Sequence, residues 1–301
     1  MNGVIVINKP KEFTSFDVVA VVRKALHTKK VGHCGTLDPN ATGVLPILVG
    51  NATKAQDIIP NHDKTYIASF KFGLVSDTLD IWGEVTERKK SEVTETKLRE
   101  AMKDFVGDIM QTPPMYSAVQ KDGVRLYELA RKGIEVERTA RKITIYSLKL
   151  TDFDEKTQSG TFLVSCSKGT YIRQLISDIA SSLSQPAVMT DLVRTSACGF
   201  DINNALELDD FKSLAQNGEI ESRLMSVSNL FSDYKELTVS QKQSIRFYNG
   251  NPLDIERTAL RDTEHENGEI FRVKDVDNAF LGLGIVDKDK GVLKVYKHFS
   301  K

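Results

Sequence analysis

Apolar positions along the chain repeat with two periods. Between Thr65 and Phe72 they alternate, with Tyr66, Ala68, Phe70 and Phe72 on one side and Ile67, Ser69 and Lys71 on the other. That is the period of a half-buried strand. Asn2 to Ile7, Lys142 to Leu150 and Thr161 to Ser167 also read as strands. Helical spacing predicts three helices. The first is capped by Ser15 and carries Val18, Val19, Val22 and Leu26. The second runs from Thr94 through Leu98, Ala101, Met102, Phe105 and Val106 to Gly107. The third follows Thr170 as N-cap and buries Ile172, Leu175, Ile176, Ile179 and Leu183, which leaves Tyr171 and Arg173 in its first turn, off the apolar stripe. Val31 to Gly50 has neither period; four glycines and two prolines predict a loop. Past residue 233, short alternating segments at Ala279 to Val286 and Val292 to Tyr296 lie between turns at 249–252, 267–268 and 289–291. They predict a small β unit, with the boundary between 233 and 234.

At 301 residues the chain has the length of about two domains. With 40% hydrophobic and 27% charged residues and no low-complexity tract, the composition is that of a folded globular protein. No run approaches the ~18 apolar residues of a membrane span, and the first residues lack a signal-peptide pattern, so the cytoplasm is the expected compartment. Cys34, Cys166 and Cys198 are odd in number and lack CxxC spacing, which predicts buried thiols rather than disulfides or zinc ligands. The 41 basic and 41 acidic residues cancel, but not locally. Residues 1–75 carry nine Lys or Arg against five acids, and 121–150 carry eight against four, whereas 201–222 carry one against six. A basic face backed by an acidic one is one distribution that fits.

Two positions draw attention on physical grounds alone. A cation in the first turn of a helix opposes the helix dipole, so Arg173 calls for an anion nearby. Asp38 precedes Pro39 inside the densest polar patch, where an aspartate commonly opens a turn. The glycines around it form neither GxGxxG nor GxxxxGK[ST], and His33 and Cys34, as sequence neighbours, make no catalytic dyad.

The run Val31-Gly-His-Cys-Gly-Thr-Leu-Asp-Pro-Asn-Ala-Thr-Gly-Val-Leu-Pro46 closely resembles the signature of the TruB family, the tRNA pseudouridine-55 synthases. Family-like stretches follow in order. They are Asn8-Lys-Pro10 with Thr14-Ser15, Lys64-Thr-Tyr66, Asp77-Thr-Leu-Asp80 with Gly83, Gln111 to Ala118, Leu126 to Gly133, Cys166 to Arg173, and Leu192-Val-Arg-Thr195. The resemblance is dense over residues 1–200. Leu237 to Ser240 and Tyr248 to Pro252 resemble, with less force, the family's RNA-binding PUA-type domain. The implied fold is α+β: a mixed, largely antiparallel sheet flanked by helices over 1–233, and a PUA-like β domain over 234–301.

The resemblance implies isomerisation of one T-loop uridine, in which the base is detached, turned and rejoined through C5. Asp38 would be the nucleophile; a carboxylate with an ordinary pKa of ~3.9 is ionised at neutral pH and needs no separate base. Attack at C1′, attack at C6 and a glycal route all remain open. Arg173 would pair with and orient Asp38. Tyr66 would stack on the flipped base and assist removal of the C5 proton. Tyr171 and Leu192 match positions lining the base pocket, His33 a position that contacts RNA, and Lys9 a position near the cleft where a solvated lysine is the plain alternative. No metal, nucleotide or organic cofactor is expected, because the reaction is redox-neutral. The expected partner is tRNA, bound by a monomer without a guide RNA. The rival reading is a non-catalytic tRNA-binding or tRNA-folding protein on the same scaffold. Two departures stand out. Glu12 replaces a usual glycine, so the turn lacks the residue that takes positive φ freely. Val193 replaces a frequent arginine, removing one basic contact.

Overall fold

The computed structural model describes residues 1–88 and 90–299, so the last two residues of the 234–301 segment lie outside it. Its centre is a mixed sheet. In spatial order the main path runs Leu206–Glu207, Gly3–Lys9, Thr42–Val49, Ala187–Ala197, Lys64–Phe72, Ser159–Cys166, Arg141–Asp154 and Gly107–Gln111. Five of these seven pairings are antiparallel and two are parallel. The expected architecture of a mixed, largely antiparallel sheet with flanking helices is the one found.

The two halves of this sheet are covered differently. Gly3–Lys9 and Thr42–Val49 are buried on both faces. Helices Ser15–Ala25 and Leu208–Gln216 cover one side through Val18, Val22 and Phe211, and residues 227–231 with the C-terminal unit cover the other through Leu230, Phe231 and Leu283. Double burial explains the unbroken apolar run Val44 to Val49. The segment predicted as a loop therefore holds two strands, Val31–His33 and Thr42–Val49, with Pro46 paired to Val6. The other half is covered on one face by helices Glu95–Lys103 and Ile172–Ser182, and its strands keep the alternation seen in the sequence.

Several local details differ from expectation. Thr14, not Ser15, is the first N-cap: its hydroxyl accepts from Asp17 N while Asp17 returns a bond to Thr14 N. The second helix stops at Lys103, so Val106 lies beyond it and is exposed. Tyr171, not Thr170, is the N-cap of the third helix, and Arg173 is buried rather than off the buried face. Glu12 takes the positive φ of the usual glycine, at 65°. All three cysteines are free and buried.

The halves meet at a short parallel seam, Thr42 opposite Val193 and Gly43 opposite Arg194. Gly43 has φ +107°, and a Cβ there would lie 2.1 Å from the Arg194 carbonyl oxygen. A side chain would force the seam apart. The C-terminal unit is a second sheet, ordered Lys235–Thr238, Ile270–Lys274, Phe280–Asp287, Val292–His298 and Leu253–Asp254. It also holds a helix that the alternating pattern does not predict, Gln241–Tyr248, with Ser240 and Gln243 forming its capping box. Phe231, Tyr234, Phe280 and Phe299 cluster, two pairs stacked and two tilted, with centroids 5.4 to 6.3 Å apart, and join this sheet to the larger unit.

Gly43→Ala is expected to lower unfolding stability by about 3 kcal/mol or more, through backbone strain and steric overlap at the seam. Urea denaturation would show it as a lower midpoint with an unchanged slope.

Candidate active site

Asp38 opens a β-turn: its carbonyl accepts from Ala41 N at 3.1 Å, with Pro39 at the second position. The turn lies at the entrance to strand Thr42–Val49, close to the parallel seam. Its carboxylate is half exposed and meets Arg173, Nε to Oδ2, at 2.9 Å. The anion that the helix dipole demands is therefore Asp38. The turn role and the ion pair coexist, one made by the main chain and the other by the side chain.

Arg173 is only 6% exposed, and each of its three side-chain nitrogens is engaged. Nη1 donates to the Thr78 carbonyl at 2.7 Å and Nη2 to the Tyr116 carbonyl at 3.0 Å. Asp80 lies 3.6 Å from Nη1 and is itself fixed by Thr78 Oγ1, Trp82 N and Gly83 N. These contacts hold the guanidinium plane in one orientation, with Nε directed at Asp38. Tyr171, immediately before this helix, is clamped by Gln111, which accepts from Tyr171 N at 2.9 Å and donates to its carbonyl at 3.2 Å. Burial pushes the Tyr171 phenol up.

Two further cations hold the Asp38 loop. Lys9, expected near the cleft or in solvent, is fully buried, and its ammonium donates to the carbonyls of Pro10, Phe13 and Pro39 at 2.6 to 2.8 Å. Burial lowers its pKa to about 8. By bridging Pro10 and Phe13, Lys9 also closes the turn in which Glu12 sits left-handed. Arg194 is likewise fully buried and donates to the carbonyls of Gly35, Thr36 and Val44. No role is predicted for it from the sequence, and its strand, Ala187–Ala197, also carries Thr190, Asp191, Thr195 and Ser196, so nothing local marks it out. Ser15 completes the frame, accepting from Leu37 N at 2.9 Å and donating to Leu37 O at 3.3 Å. Residues 35, 36, 37, 39 and 44, on either side of Asp38, are thus tied by side chains from three other elements.

Tyr66 stands opposite Arg194 in the strand register, and Leu192 opposite Ala68. Both are buried, at 6% and 5% exposure. Burial pushes the Tyr66 phenol up to about 12, so its resting form is neutral. The Tyr66 face is shared with Ala68, Phe70 and Phe72 and packs into the core. His33 ends strand Val31–His33 near the loop, half buried, with its ring edge-on to Phe16 at 6.5 Å. Desolvation lowers its pKa, which leaves it uncharged at pH 7. To one side, residues 113–141 wall a cleft of about 270 Å³ lined by Lys121, Arg138 and Arg141 among others. Among the described residues, no group of three His, Cys, Asp or Glu side chains is arranged to hold a metal, and no helix is long and apolar enough to cross a membrane.

Comparison with known proteins agrees with this architecture. Residues 23–172 match the model of the TruB family pseudouridylate synthase N-terminal domain, and residues 237–298 match that of the PUA-like domain. The chain is 43% identical over 289 residues to tRNA pseudouridine synthase B of Clostridium perfringens, covering 96% of each chain. It is 42% identical over 298 residues to that of Clostridium tetani, covering 99% of each, and 42% identical over 277 residues to that of Lactobacillus johnsonii, covering 90% of this chain and 93% of the other. Among solved structures, an H/ACA ribonucleoprotein bound to a substrate RNA containing 2′-deoxyuridine superposes with a TM-score of 0.75 at 22% identity, over 99% of this chain and 85% of that one, a likeness of fold. With the signature loop, the sheet and both matched domains in place, this chain belongs to the TruB family of pseudouridylate synthases.

Proposed function

We propose that this chain converts uridine 55, in the T-loop of tRNA, to pseudouridine, with Asp38 as nucleophile. The single observation that carries the reading is the Asp38–Arg173 pair, in which a half-exposed carboxylate rests on a buried guanidinium whose three nitrogens are all engaged. A carboxylate on a mobile surface chain would lose much of its rate advantage to disorder. Here the loop is tied at five residues before substrate arrives, which is the preorganisation that covalent catalysis requires.

The roles follow from what lies around that carboxylate. The target uridine must leave the RNA stack to bring its glycosidic carbon near Asp38. Tyr66 supplies an aromatic ring for the flipped base, with Tyr171 and Leu192 lining the pocket. Because its phenol is held neutral, Tyr66 assists C5 deprotonation only by first yielding its own proton or by ordering another acceptor. Arg173 keeps Asp38 aimed and stabilises the carboxylate released at the end of the cycle. His33, uncharged, fills the stack that the uridine vacates. Lys9 acts as a positioning residue on Pro39. The large unit, 1–233, holds the chemistry, while the PUA-like unit, 234–301, and the basic cleft near Arg138 hold RNA backbone. A single chain acting in the cytoplasm without a guide RNA or added cofactor is sufficient for this scheme.

Tritium release from tRNA labelled at uridine C5 tests the reading. Wild type is expected to release label at one mapped T-loop position, and Asp38→Asn to release none while binding tRNA within about fivefold of wild type. Turnover by the variant would remove Asp38 from the mechanism; tight binding without turnover by the wild type would favour a tRNA-binding or tRNA-folding protein. In the same assay Arg173→Lys is expected to lower kcat about 10²-fold with KM little changed, since a point charge cannot keep the three directed hydrogen bonds of the guanidinium in its plane. His33→Asn is expected to weaken tRNA binding at pH 7 without altering the slope of log affinity against log salt. A neutral imidazole releases no counterion, so a shallower slope in the variant would show that His33 binds as a cation.

A further inference from the structure

Phe16 is 64% exposed, on the first turn of helix Ser15–Ala25, beside the site yet outside every role assigned above. Isolated exposed aromatics are ordinary, so exposure alone carries nothing. This ring, however, is held in place. His33 meets it at 6.5 Å with the ring planes at 86°, and the Arg23 guanidinium lies 5.8 Å from its centroid. Arg23 is itself anchored by an Nη2 bond to the Val31 carbonyl at 2.9 Å. The backbone beneath Phe16 is fixed by the Thr14–Asp17 capping box. Its neighbour Ser15 is bonded to Leu37, one residue from Asp38.

Asp17, the residue after Phe16, is committed to the cap with Thr14, and the chain beyond it is basic. Between residues 18 and 37 the chain carries Arg23, Lys24, Lys29 and Lys30 and no acid. A fixed, exposed ring with a cation over one face, followed by a basic stretch of chain that attracts phosphate, has the chemistry of a nucleobase-stacking platform. We infer that Phe16 stacks an unpaired T-loop base next to the flipped uridine, while Arg23 and the lysines that follow neutralise the backbone entering the cleft. With its plane turned 86° from the imidazole, the ring would take its base beside the column that His33 enters, not within it. The inference rests on the tRNA reading above and adds a substrate-positioning residue to it.

The test compares Phe16→Leu, which keeps an apolar side chain without a π face, with Phe16→Tyr, which restores the ring. On a full tRNA transcript Phe16→Leu is expected to raise KM about 5- to 150-fold, the range for loss of one stacked base, with kcat within about twofold. Phe16→Tyr should return KM to within about twofold of wild type, and both variants should unfold at the wild-type temperature. An unchanged KM for Phe16→Leu, an effect on kcat alone, or a loss that Phe16→Tyr does not rescue would overturn the inference. If the wild-type chain converts no uridine, the functional reading fails instead. Stacking is then read from the Kd of a T-arm hairpin by fluorescence anisotropy, where the same ratio between variants supports it and equal affinities overturn it.

Discussion

Two buried cations organise the working part of this protein. Lys9 and Arg194 are both without solvent exposure, and their hydrogen bonds to six carbonyls include four on the segment from Gly35 to Val44. Removing a cation from water is costly, and a loop crossing the interior leaves carbonyls that water can no longer reach. Each problem answers the other: the loop supplies acceptors for the cations, and the cations satisfy the loop. The loop thereby gains a defined shape without regular secondary structure. Asp38 can then keep its side chain free for Arg173, because its main chain is already committed to the turn.

This arrangement separates holding from acting. Arg194 and Lys9 contact main chain, so they fix where the loop runs but leave the carboxylate accessible. Arg173 contacts the carboxylate and takes its own orientation from Thr78, Tyr116 and Asp80 on other segments. The result is three cations around one acid, only one of which bonds it directly.

How much of this is legible in the sequence depends on whether a position shows contrast with its neighbours. Tyr66 lies on a strand with one covered face, so alternation reveals both the strand and the side it faces. Arg173 is conspicuous because its charge has the wrong sign for a helix start, and that anomaly by itself calls for the anion that Asp38 supplies. The strand Thr42–Val49 is hidden because burial on both faces erases alternation, and Pro46 and Gly43 counterfeit a loop. Lys9 is hidden for a related reason: nothing local distinguishes a lysine that ends in water from one that ends on three carbonyls. Those acceptors lie as far away as Pro39, and only the folded chain brings them together. The two expected caps, Ser15 and Thr170, each stand one residue from the true one. Ser15 shows why, since its hydroxyl is taken by Leu37 instead of the helix end.

The aromatic cluster of Phe231, Tyr234, Phe280 and Phe299 fastens the C-terminal sheet to the large unit with core-like packing, where a flexible tether would have sufficed for connection. The two surfaces consequently sit at a set separation. On the proposed reading, an RNA gripped by both would be gauged as between the jaws of fixed calipers: a stem of the right length would bring its loop to Asp38, and one a turn too long or too short would overshoot or stop short. Selectivity of that kind would need no base to be read at all.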